Sequence, residues 1–190
     1  MKRLVFAVLA VACAPAAARA GLACTLAASP VQFDSISGTS AGTVDARGSL
    51  TAVCTGSQGA NIAVCIEIGD GAALSASGQR VLSPQKGSGA LGLQIFQDAA
   101  LSRPWGSAAR GQALYLQRTG DGPLPATAYL RAYVQKGAAN PGTYSAQFPV
   151  TLRYGAVSAA FVDCNALGIA ASARSGEKLV ASVPARSRRH

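Results

Sequence analysis

Histidine is almost missing from this chain of 190 residues: there is one, His190, the last residue, and 8 carboxylates stand against 17 lysines and arginines. Metal sites built on imidazole are thereby nearly excluded. A Ser-His-Asp or Cys-His relay has no base except a side chain on the terminal residue. Charged residues make up 13% of the chain, about half the usual share, which argues against a charge-rich disordered protein. There is no phosphate-binding glycine loop, no GxGxxG after a strand, no calcium loop, no CxxC pair and no carboxylate pair at a workable spacing. The expectation is a protein that is not an enzyme and that takes no cofactor and no metal. Clustered lysines and arginines with interleaved aromatics are absent as well, so nucleic acid is not an expected partner.

Apolar and turn-forming residues are abundant. Hydrophobic residues account for 49% of the chain, with 21 glycines and 9 prolines, a composition that fits an exported, β-rich domain. Residues 1–20 begin with Lys2 and Arg3, continue as an apolar run over 4–12 and end on Ala18-Arg19-Ala20. This is the pattern of a secretory signal peptide, and the apolar run is too short for a membrane span. No later run approaches the ~20 apolar residues that a span needs, so no membrane span is expected in the mature chain. Removing residues 1–20 takes away Lys2, Arg3 and Arg19 and leaves 14 basic against 8 acidic residues, a net charge of +6. Half of that excess lies in residues 161–190, so the body is only mildly basic. Of 5 cysteines, Cys13 belongs to the signal, leaving Cys24, Cys54, Cys65 and Cys164. An even count in an exported chain predicts two disulfides, with three pairings formally open.

Period-two alternation bounded by Gly, Pro, Asn and Asp recurs from the mature N-terminus to about residue 155, with no helical pattern. It predicts strands over 43–54, 61–68, 90–97, 113–117, 126–135 and 143–154. In the second of these, Ile62, Val64, Ile66 and Ile68 face one way and Ala63, Cys65 and Glu67 the other. Pro149 interrupts the last run and predicts an edge position or a bulge there. About seven short strands at this spacing point to an all-β, immunoglobulin-like antiparallel sandwich, with a closed barrel as the alternative.

The order of these features resembles the spore coat protein U, or Csu-type, pilin family, the subunits of archaic chaperone-usher pili. Cys24 is followed by Val31-Gln32-Phe33-Asp34, where the family shows a Phe-Gly pair, and then by Gly48-Ser49-Leu50-Thr51-Ala52-Val53-Cys54. The run LGLQIFQDAALSRPWG over 91–106 is similar to the family's strand ending in Asp-Ala-Ala and then Trp-Gly. Tyr129, Gln135 and the Pro141-Gly142-Thr143-Tyr144 turn complete the set. The resemblance covers roughly residues 24–155. It implies a sandwich lacking its seventh strand, filled by a neighbour's donor strand through β-augmentation; the residues past 154, which depart from the family pattern, offer the chain's own C-terminal segment as the other source. It also implies a periplasmic pilus chaperone, an outer-membrane usher and neighbouring pilin subunits as partners. The place is a cell-surface fimbrium reached through the periplasm. The resemblance pairs Cys24 with Cys54; Cys65 with Cys164 follows by elimination.

The expected organisation is a signal peptide over 1–20, a spore coat U-like domain over 21–165, and a basic tail over 166–190, disordered or opening a second domain. Cleavage after Ala20 leaves Gly21, Leu22 and Ala23 ahead of Cys24, too few for a donor strand, which predicts a tip position. The run over 157–164 (VSAAFVDC), with Phe161, is a candidate for the chain's own seventh strand. Leu179, Ala181 and Val183 alternate in a second candidate for a last or donor strand. Candidate adhesive loops are 36–43 with Ile36, 123–125 with Leu124, and Trp105, which otherwise packs over the sandwich end. The expected function is that of a non-enzymatic pilus subunit at the tip, acting in surface adhesion and biofilm formation. The alternative is a free-standing protein of a spore or cell outer coat.

Overall fold

The strands Thr43–Thr55, Asn61–Ile68 and Leu114–Thr119 each end one residue before a glycine, at Gly56, Gly69 and Gly120. The computed structural model describes residues 21–36, 42–70, 79–158, 160–167, 169–173 and 179–183. Residues 1–20, read above as a signal peptide, positions 37–41 of a candidate loop and residues 184–190 of the expected tail lie outside the described residues. In chain order the strands are β1 (Ala23–Ala28), β2 (Thr43–Thr55), β3 (Asn61–Ile68), β4 (Val81–Pro84), β5 (Gly89–Phe96) and β6 (Leu114–Thr119). They continue with β7 (Gly122–Ala139), β8 (Gly142–Ala146), β9 (Val150–Ala156), β10 (Ile169–Ala173) and β11 (Leu179–Val183). Single 3-10 turns stand at Ala108–Arg110 and Cys164–Ala166, and the described residues contain no α-helix.

All strand pairs are antiparallel, and they form two sheets in the order β1-β2-β7-β5-β4-β8-β11 and β10-β9-β3-β6. The architecture is an immunoglobulin-like sandwich. Its core comes from one face of each sheet: Leu50 and Ala52 of β2, Leu91, Leu93 and Ile95 of β5, Ile62, Val64 and Ile66 of β3, and Leu152 of β9. β3 is buried along nearly its whole length because both of its faces are covered. Its other face, Ala63 and Cys65, lies under a second small cluster with Ala108, Cys164 and Leu167.

Three sequence expectations need correction. The run 143–154 is not one strand: it breaks around Pro149 into β8 in the first sheet and β9 in the second, so the proline marks a change of sheet. The run 157–164 forms no strand among its described residues, of which only Cys164 enters regular structure, as the start of a 3-10 turn. The segment 123–125 is not a loop, because Pro123, Leu124 and Pro125 lie in β7 opposite Val53, Ala52 and Thr51 of β2. There β7 has one neighbour, since β5 joins it only from Tyr129 onward. Prolines two residues apart remove N–H groups from the same side of a strand, and the unneighboured side tolerates that loss. β4 carried no sequence signal, its four residues being too few to show a period.

Candidate functional site, a sheet edge filled from the same chain

β8 and β9 lie end to end and run in one direction, bent from one sheet into the other at Gln147-Phe148-Pro149. β10 and β11 follow them in reverse. Ala173 pairs with Val150 and Ser172 with Thr151, then Leu179 pairs with Ala146 and Val183 with Gly142. From Val150 back to Ala146 is four residues, and from Ala173 on to Leu179 is six. Leu179, Ala181 and Val183 therefore lie in β11, the last strand among the described residues, with Ala181 opposite Tyr144. An edge strand left open presents a row of unpaired N–H and C=O groups. Here that row is paired from within the chain on both sheets.

The start of this return is fixed covalently. Cys65 of β3 is bonded to Cys164, with Cα atoms 5.7 Å apart, five residues ahead of β10. Cys24 and Cys54 are bonded across a directly opposed pair of β1 and β2. Asp163 accepts a hydrogen bond from the Asn165 N–H at 2.9 Å and caps the 3-10 turn. Glu67 accepts from the Ala108 N–H at 2.8 Å and also pairs with Arg153 of β9, tying the other 3-10 turn to the outer face of the second sheet. Next to the change of sheets lies an apolar cavity of about 60 Å³, bounded by Val31, Leu50, Ile68, Leu130, Phe148 and Val150.

The residues expected on adhesive loops are buried. Ile36 is buried in the main core, as is Leu124. Trp105 is fully buried, and its indole N–H donates to the Ile66 carbonyl at 2.8 Å. None of the three presents its side chain to solvent. Phe161, expected in a last strand, is instead 69% exposed and stands 4.9 Å, centroid to centroid, from the Tyr115 ring of β6. Sequence reasoning missed Arg80, whose guanidinium donates to the carbonyls of Ile68, Gly69 and Trp105. A lone arginine beside a glycine-rich stretch carries no periodic signal that would have found it. Among the described residues no group of three or more His, Cys, Asp and Glu gathers as metal ligands do, and no helix is long and apolar enough to cross a membrane.

A family model, the Spore Coat Protein U domain, matches residues 10–151. No curated protein sequence matches the chain. Among solved structures it is similar to the CooA pilin subunit from enterotoxigenic Escherichia coli, at 10% identity and a TM-score of 0.43, over 85% of this chain and 99% of that one. It is also similar to the CssB subunit of enterotoxigenic Escherichia coli colonization factor CS6, complemented with a donor strand from the CssA subunit. There the identity is 15% and the TM-score 0.42, over 83% of this chain and 96% of that one. AggA, the major subunit of aggregative adherence fimbriae type I from Escherichia coli, gives 13% identity and a TM-score of 0.42 over 86% and 96%.

Proposed function

The chain belongs to the Spore Coat Protein U domain family, and from that premise we propose that it is a non-enzymatic fimbrial subunit of the adhesive, distal kind. On this reading a periplasmic chaperone and an outer-membrane usher deliver it to the cell surface, and neighbouring pilin subunits lie behind it in the fibre. It acts there in adhesion and biofilm formation.

One observation carries the reading: the edge formed by β8 and β9 is paired with β10 and β11 of the same chain. A donor strand joins a pilin by adding to such an edge, contributing main-chain hydrogen bonds and apolar side chains. Where the chain supplies that strand itself, the edge takes no neighbour's strand, so the domain does not serve as a repeating donor-accepting shaft unit, and its link to the subunits behind it runs through a surface other than this edge. Such a domain also folds without waiting for a donor.

The test is to express the chain from Gly21 onward in an oxidising compartment lacking the pilus chaperone, then measure size, thermal unfolding and the disulfide map. The expected result is a folded monomer containing both disulfides. Aggregation that only an added donor-strand peptide relieves would overturn the reading in favour of a subunit with an open groove. Immunogold labelling of assembled fibres adds a second arm, in which label at the ends supports the distal placement and label along the shaft rejects it. Surface display that persists after deletion of the usher would favour the free-standing coat protein instead.

A further inference from the structure

The outer face of the second sheet carries a basin that the strand edge does not use. Its volume is about 360 Å³, within the roughly 300–1,000 Å³ typical of small-ligand clefts. Small residues make the space: Ala108 and Gly111 at the first 3-10 turn, and Ala113 just ahead of β6. Tyr115 and Phe161 form an aromatic wall, their rings tilted by 49°. Arg103 and Asp163 add a cation and an anion, both exposed.

Phe161 takes no part in either hydrophobic core cluster. An exposed phenylalanine forgoes roughly 1.5–3 kcal/mol of burial, and scattered exposed apolar residues alone mean little. This one stands against a second aromatic at the wall of a cleft. Its segment is held at one end by the Cys65–Cys164 bond and at the other by the Val157 N–H, which donates to the Asn61 carbonyl at 2.8 Å. Both charged groups have free capacity among the described residues. Asp163 uses Oδ1 for the Asn165 backbone and side-chain N–H groups, leaving Oδ2 open. Arg103 places only one side-chain nitrogen, Nη2, on Gln97.

We propose that this basin binds a neutral pyranose of a surface glycan. A sugar ring has an apolar C–H face and a rim of hydroxyls. The aromatic wall takes the face, Arg103 donates to hydroxyl oxygens, and Asp163 accepts from hydroxyl hydrogens. The two opposite charges cancel across the basin, which disfavours an ion of either sign and leaves a polar, uncharged ligand as the best match. The inference deepens the adhesive reading and rests on it. Its test reads binding on the isolated chain, so failure here leaves the assembly reading standing, and failure of assembly leaves this result legible.

The disulfide-bonded chain from Gly21 onward is titrated with the methyl glycosides of glucose, galactose, mannose and N-acetylglucosamine, followed by ligand-observed and protein-observed NMR. Saturable binding of at least one glycoside is expected, with the largest shifts at Tyr115 and Phe161. Phe161→Ala should weaken it about tenfold while leaving the melting temperature unchanged, because the ring is exposed. Arg103→Gln should weaken it too, as a second variant that leaves both aromatic rings in place. No saturable binding of any of the four, shifts centred elsewhere, or undiminished binding by both variants would overturn the proposal. Concentration-dependent self-association that Phe161→Ala abolishes, without sugar binding, would overturn it in favour of a contact between copies of the chain.

Discussion

Trp105 ties the loop after β5 to both sheets. Its backbone N–H donates to Ile95 in the first sheet and its indole to Ile66 in the second, while Arg80 holds its carbonyl at 2.8 Å. Burial pulls the Arg80 guanidinium below its ordinary pKa, with the Asp70 charge opposing the shift, so three carbonyls take the place of water around a largely buried cation. Trp105→Ala should therefore cost about 3–5 kcal/mol in urea unfolding, the range for deleting a fully buried aromatic, without altering the disulfide map. Asp98 governs the same loop by charge. The Ser102 hydroxyl, with the N–H groups of Ser102 and Arg103, holds its carboxyl below the usual range. A native value below the unfolded one means that the unfolded chain binds the proton more readily. The contribution is complete above the unfolded value of ~3.9 and fades as pH falls through the native one. Melting temperature followed from neutral to acid pH should fall in that window, and Asp98→Asn should flatten the fall; an identical profile in the variant would assign it to other carboxylates. That Trp105 sits in a loop was legible from Asp98 and Pro104 around it. Its burial was not, because a lone tryptophan after a proline has no periodic neighbours to separate packing from exposure.

The strands divide into those whose alternation announces them and those set by a constraint at a distance. β2, β3 and β5 were legible because each alternates over eight or more residues with one face in the core. Pro149 was legible as an interruption, yet only three dimensions reveal that β8 and β9 belong to different sheets. The run 157–164 misled by its own alternation. In β3, Ile62, Val64 and Ile66 face the main core, whereas Cys65 lies with Ala63 on the opposite side. A bond to Cys65 therefore draws the residues ahead of Cys164 across the outside of the sheet. The returning strand can begin only afterwards, at Ile169. Its pairing should be sensitive to a missing donor: Ala181→Pro, opposite Tyr144, should disrupt the β11 ladder and lower stability by about 1–3 kcal/mol. Hydrogen exchange should then show lost protection in β8, whereas unchanged protection there would mean that the β11 pairing contributes nothing.

At the scale of the whole molecule, β10 and β11 compete with any strand that another chain could offer to the β8–β9 edge. The Cys65–Cys164 bond closes a loop with a sequence separation of 99, which in the chain-entropy account is worth about 4.7 kcal/mol, against about 3.5 for the separation of 30 at Cys24–Cys54. It also keeps β10 close to β9, so the chain's own strand meets the edge at an effective concentration in the millimolar range that a free donor in solution rarely matches. Cutting this tether should therefore change assembly as well as stability. In the variant Cys65→Ser with Cys164→Ser, the C-terminal strands remain able to pair but are no longer held beside their own sheet. Exchange of β10 and β11 between two copies then becomes competitive at high protein concentration, giving dimers that dilution reverses slowly. Light scattering coupled to size exclusion, over a wide range of protein concentrations, should find monomers of the intact protein throughout and a rising dimer fraction in the variant. Adding a peptide of residues 164–183 should return the variant to monomers by occupying the freed edge. A variant that stays monomeric at every concentration while losing stability would show that β10 and β11 hold their place through strand pairing alone, and that the disulfide acts only on the unfolded chain.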